Sequence, residues 1–140
     1  MVQMSDLNQL YSEVIMEHYE NSPHEKELKD ATHKERGYNP LCGDNITLYL
    51  KMNGDIIEDA SFTGHGCAIS QASTSMMIDL IKGKDKKEAL RLVQQFIDMI
   101  HKKDVNLDEL GDAQVLQGVS DFPARVKCAL LAWKTLQEIL

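Results

Sequence analysis

The chain has 140 residues and a formal net charge of −7, from 15 Lys and Arg against 22 Asp and Glu. An acidic surface repels phosphate backbones, which excludes nucleic acid as a partner class. No run reaches the roughly 18–20 apolar residues that a membrane-spanning helix needs, and no membrane partner is expected. The length suits one domain over residues 1–140. Without the basic segment, apolar core and cleavage site of a secretory signal, the expected location is cytoplasmic.

From Ser5 to about Tyr19, apolar residues fall at Leu7, Leu10, Tyr11, Val14 and Ile15. That is the spacing of one helix face, with Ser5 placed as its cap. Asn21, Ser22 and Pro23 stop it. Residues 21–40 are polar without a period and read as a long loop, in which His24 and His33 are expected to be solvated. Ile46, Leu48, Leu50 and Met52 alternate with polar or amphipathic residues, the mark of a strand with one buried face. Asn53-Gly54 supplies a hairpin turn. Ile56 to Thr63 reads as the returning strand, with Ile56, Ala60 and Phe62 facing inward.

A helix is expected from Ala68 to Ile81, ended by Gly83, with Met76 and Met77 as core filler. Asp85 and Glu88 form a capping box for the next helix, which runs to about His101 on a stripe of Leu90, Val93, Ile97 and Ile100. Asp104 to Gly118 reads as irregular, with at most a short helical turn. Ser120 or Asp121 caps a last helix with Pro123 in its first turn. Its stripe is Val126, Ala129, Leu130, Trp133, Leu136 and Leu140, and Cys128 lies beside it. The order predicts an α+β fold: a small antiparallel sheet, built on the hairpin, covered by helices on one face.

Three cysteines cannot close into a complete set of intrachain disulfides, and in a reducing compartment thiols serve more often as metal ligands or nucleophiles. Burial of all three as small hydrophobes is the plain alternative. The hairpin bears on the choice. If the turn centres on Asn53-Gly54, Asp44 faces Thr63 and Cys42 faces His65, so Cys42, Asp44 and Cys67 gather at one end. Cys128 reaches that end only if the last helix docks over the hairpin.

Three thiolates and a carboxylate suit zinc or an iron–sulfur cluster. A helix starting after Cys67 favours its thiolate, and Arg125 and Lys127 beside Cys128 offset the anionic charge. His65 is a substitute ligand to weigh. Tyr11, His18 and Tyr19 could contribute to a docking surface. The paired C-x-x-C motifs of zinc fingers and thioredoxins are absent, as is the signature of zinc deaminases.

Asn39-Pro-Leu-Cys-Gly-Asp44, Phe62-Thr-Gly-His-Gly-Cys67 before a Ser/Ala-rich helix, and Arg125-Val-Lys-Cys128 together resemble the IscU/NifU N-terminal scaffold family. The match runs from about Leu7 to Leu140. Asp121-Phe-Pro-Ala-Arg125 stands where IscU-type members carry a chaperone-docking motif, Lys127 replaces a His, and extra residues lie around Lys102 to Gly118. These traits resemble the SufU branch and imply no Hsp70-type chaperone docking.

The resemblance implies a SufE/NifU-like fold with one zinc held by Cys42, Asp44, Cys67 and Cys128. It also implies sulfur acceptance on Cys42 from a pyridoxal-phosphate cysteine desulfurase of the SufS type. In SufU-like proteins a histidine of the desulfurase is thought to displace that cysteine from the metal. The chain would then be a sulfurtransferase-type partner rather than a stand-alone enzyme, passing sulfur to downstream assembly or recipient proteins. The alternative role is a scaffold that builds a [2Fe–2S] cluster on the same ligands. A metal that only staples an interaction module is a third.

Overall fold

A computed structural model describes residues 13–40 and 43–140. Residues 13–20 are helical (α1). Then come strands β1 (His33–Asn39), β2 (Asp44–Asn53) and β3 (Ile56–His65), and helices α2 (Ala68–Ile81) and α3 (Lys86–Ile100). A 3-10 segment (Leu107–Asp121) and helix α4 (Pro123–Ile139) complete the chain. The strands form one antiparallel sheet in the order β1-β2-β3. The expected α+β architecture is borne out. Among the described residues no helix is long and apolar enough to cross a membrane.

Four features depart from expectation. First, the expected 21–40 loop contains β1. His33 to Arg36 are exposed and only Gly37 and Asn39 are buried, so the strand has no apolar alternation to read. It is held by its partners instead. It pairs with β2 along its whole length, and α4 packs so closely that a Cβ on Gly37 would lie 2.3 Å from Thr135 Oγ1.

Second, the hairpin register differs. Asn53 pairs with Ile56, so Gly54 (φ 61°) and Asp55 make the turn. A bulge follows, because Met52 faces Ile57 while Lys51 faces Asp59. The extra residue resets the alternation, so Ile57, Ala60 and Phe62 point inward and Ile56 is exposed. Beyond the bulge the register holds to Asn45 opposite His65, which draws Asp44 level with the residue after His65 rather than with Thr63.

Third, the segment expected to be irregular is a 3-10 helix in two pieces joined at Gly111 (φ 53°, ψ −136°). It buries Leu110, Ala113, Leu116 and Val119, a spacing of three that matches three residues per turn. Fourth, α4 is capped by Phe122 without a side-chain bond, with Pro123 opening the helix, and not by Ser120 or Asp121.

The remaining helices follow their patterns. Asp85 accepts from the Glu88 N–H at 2.7 Å as the N-cap of α3. That helix buries Val93, Ile97 and Ile100 together with Ala89, Leu92, Phe96 and Met99, while Leu90 is only partly buried. α2 is buried on nearly every side from Ser70 to Ile78, and its serines allow close approach. Ser73 Oγ donates to the Ala129 carbonyl (2.7 Å) and accepts from Trp133 Nε1 (2.8 Å), tying α2 to α4. Trp133 stacks on Phe96 with centroids 3.8 Å apart. Met76 and Met77 are core residues as expected. Ser5, Leu7, Leu10 and Tyr11 lie outside the described residues, while Val14, Ile15 and Tyr19 pack against the core.

The outer edge of β3 is covered. The Lys26 N–H donates to the Phe62 carbonyl (2.9 Å) and the Phe62 N–H to the His24 carbonyl (3.0 Å). At the other end the Ile57 N–H donates to the Lys84 carbonyl (2.9 Å) and the Gly83 N–H to that of Ile57 (2.8 Å).

Candidate metal centre

Asp44 opens β2 with the same parity as Ile46, Leu48 and Leu50, so strand alternation turns it toward the helices, where it is fully buried. A carboxylate taken out of water must be partnered. Its Oδ1 accepts the backbone N–H of Cys67 at 2.8 Å, which leaves Oδ2 3.9 Å from Cys67 Sγ. The shifted hairpin register makes this meeting: Asp44 lies beside Gly66, where an added Cβ would sit 2.4 Å from Oδ1. No side chain other than hydrogen fits there. Gln71, one turn into α2, donates from Nε2 to the Gly66 carbonyl at 3.1 Å and fixes the same turn from the other side.

Cys67 is the N-cap of α2, and its sulfur accepts the Ser70 N–H at 3.4 Å. Cys128 lies in the second turn of α4 and is fully buried, 3.7 Å from the Ala124 carbonyl. Docking of α4 over the sheet, left open by the sequence, brings it to the other two. One ligand atom from each of Asp44, Cys67 and Cys128 lies within 4.8 Å of the others.

Arg125 faces both sulfurs. Its guanidinium is held above its ordinary pKa first by the charge of Cys67, then by a hydrogen bond to Cys128. Of the two cations expected beside Cys128, Arg125 therefore serves the thiols. Lys127 is exposed and lines a groove between β1 and α4.

The donor set fits a metal. Corners of a tetrahedron with zinc–sulfur bonds of about 2.3 Å lie roughly 3.7 Å apart, so small side-chain rotations would close three corners around one ion. Two sulfurs and an oxygen suit zinc or an iron–sulfur cluster better than magnesium or calcium. Three ligands leave a fourth corner. Cys42, two residues before Asp44 in the chain, lies outside the described residues.

His65 is exposed at the end of β3, paired through its backbone with Asn45, and is not among the clustered donors. The His33 ring is hydrogen-bonded to the hydroxyl of its neighbour Thr32. His24, expected to be solvated, instead packs on α2 with Nε2 2.5 Å from Asp79 Oδ1. His18 is bonded to Ser75 Oγ (3.0 Å) and Asp112 Oδ2 (2.9 Å), tying α1 to α2 and the 3-10 segment. The sequence reading missed Gln71 and the steric role of Gly66. The Gly-His-Gly run before Cys67 is the one signal that backbone passes close there.

The model of the NifU-like N terminal domain family matches residues 10–129. The chain is 49% identical over 135 residues to the zinc-dependent sulfurtransferase SufU of Bacillus subtilis, covering 96% of this chain and 91% of that one. It is 44% identical over 138 residues to the iron–sulfur cluster assembly scaffold protein IscU of Streptococcus pyogenes, covering 98% and 86%. In structure it is similar to an iron–sulfur cluster assembly scaffold protein for the SUF system from Fervidobacterium islandicum. The TM-score there is 0.89 and the identity 42%, over 94% of this chain and 97% of that one. By the span of the family model and the extent of these identities, the chain belongs to the NifU-like N terminal domain family.

Proposed function

We propose that this chain acts in iron–sulfur cluster assembly as a zinc-bound sulfur acceptor, taking persulfide sulfur from a pyridoxal-phosphate cysteine desulfurase of the SufS type onto Cys42. One observation carries the reading: Asp44, Cys67 and Cys128 converge at the end of the hairpin that Cys42 leads into, in a chain 49% identical to a zinc-dependent sulfurtransferase. Zinc, when bound, keeps its cysteine ligands deprotonated at neutral pH.

In this reading the chain's own residues divide the work. The Cys67 amide and Gly66 fix Asp44, the N-terminus of α2 lies at the Cys67 sulfur, and Arg125 stands beside both sulfurs. Cys42 is the acceptor because it lies beside Gly43 (φ 70°), whereas Cys67 caps one helix and Cys128 lies within another. Its thiolate attacks the outer sulfur of the donor persulfide. The donor S–S bond breaks as the new one forms, the donor leaves as a thiolate, and Cys42 carries the persulfide.

The second reading, a [2Fe–2S] scaffold on the same ligands, draws support from the 44% identity to an IscU scaffold. Metal analysis and absorbance separate the two. A colourless protein with one zinc that stimulates desulfurase turnover supports transfer, and a brown protein with charge-transfer bands supports the scaffold. Cys42→Ala should retain much of its metal and gain no sulfur by mass spectrometry after incubation with desulfurase and cysteine. Wild-type sulfur uptake by that variant would remove Cys42 as acceptor.

A further inference from the structure

The chain is acidic overall, yet one groove on it is not. Between β1 and α4 lies a depression of about 480 Å³ with Leu131 in its lining and Arg36, Lys127 and Lys134 at its rim, against a single carboxylate, Glu138. Among the described residues none of these three cations forms an ion pair. Arg36 donates to the neutral Asn45 side chain (2.7 Å) and lies over the Tyr38 ring (5.2 Å). Tyr38, in the same groove, is 56% exposed.

The groove also runs along an open sheet edge. β1 pairs with β2 on one side, and among the described residues no strand pairs with it on the other. Residues 1–12 of the chain contain a single carboxylate, Asp6, so they do not supply the charge that this rim would match. The groove adjoins the metal centre, since Lys127 precedes Cys128 and Asn39, also in its lining, ends β1.

We infer that the β1–α4 groove is a docking site for an acidic, extended segment of a protein partner. The segment would add alongside β1 with its side chains alternating: carboxylates on the α4 side meet Lys127 and Lys134, and apolar side chains on the other face of the sheet meet Tyr38. An open strand edge supplies main-chain hydrogen bonds, and the flanking cations select the sign of charge. The proposal does not rest on the sulfur reaction. Its contribution to that reaction would be to hold a partner against the end of the sheet where the clustered donors lie.

The test uses the full zinc-loaded chain and a fluorescein-labelled peptide of alternating Glu and Val, read by anisotropy. The acidic peptide should bind at submillimolar concentration. Binding should weaken about tenfold or more in half-molar salt and in the Lys127→Glu/Lys134→Glu variant. Retained zinc and an unchanged circular dichroism spectrum show that the variant is folded. In the wild-type chain, amide shifts on peptide addition should concentrate at 36–39, a readout that needs no variant. Four results would each overturn the proposal: no binding, equal binding of the peptide with Lys for Glu, full binding by the folded variant, or equal binding of a single-stranded oligonucleotide. A chain that takes up sulfur on Cys42 but ignores the peptide refutes this inference and leaves the functional reading untouched.

Discussion

Gly66→Ala tests how the metal centre is held. The new methyl would lie 2.4 Å from Asp44 Oδ1, 3.0 Å from its Cγ and 3.1 Å from its Cα. Asp44 is fully buried and anchored in β2, so the carboxylate must turn away from the Cys67 amide. Losing a charge-assisted hydrogen bond costs about 1.5–3 kcal/mol, or roughly ten- to hundredfold in binding if the loss falls on the metal-competent arrangement. Competition against a chromophoric zinc chelator reads that factor directly. The strand pairing should survive, because the severest clash is with a side-chain atom and the backbone contact, at 3.1 Å, asks for a shift of only a few tenths of an ångström. Gly64→Ala is the contrast: φ there is 131° and the added Cβ would sit 2.0 Å from the Asn45 backbone carbonyl, so that change should lower global stability. Wild-type zinc affinity in Gly66→Ala would refute the view that Asp44 is fixed by the Cys67 amide for metal binding.

Trp133→Phe removes the indole N–H that bonds Ser73 and part of the ring stacked on Phe96. It should destabilise by about 2 kcal/mol, seen as a fall in Tm on the order of 6 °C. Gln71→Ala frees the Gly66 carbonyl and should speed zinc release severalfold in a stopped-flow chelator assay, with little change in Tm. Arg91 bridges Glu88 and Glu109, and its hydrogen bonds hold both carboxyls below their ordinary 4.5. Such bridges contribute fully above pH of about 4.5 and fade as pH falls through the lowered folded values. Arg91→Ala should therefore make urea midpoints less sensitive to pH in that acid range.

Periodicity was a good guide wherever one apolar face met one element. The alternation of Ile46, Leu48 and Leu50, the bounds of α2 and the Asp85 cap are all found in the structure. β1 escaped because its stability comes from β2 and α4 rather than from its own side chains. The 3-10 segment escaped because its apolar residues recur every three positions, a rhythm that neither helix nor strand templates detect. At the metal centre, three of the four expected ligands are gathered, but the register that joins Asp44 to Cys67 depends on a bulge at Lys51 and Met52 that alternation alone cannot reveal. Gln71 gave no signal, since α2 buries several polar residues and nothing in their order sets this one apart.

The two rims of the sheet differ, and that difference limits how copies of this protein can aggregate. With β3 shielded by residues 24–26 and 83–86, hydrogen-bonded growth is closed on that side. Among the described residues β1 is the one open rim, so copies paired through it about a two-fold axis would leave no further strand edge for growth. Even that pair would bring the cations Lys34 and Arg36 of one copy near those of the other.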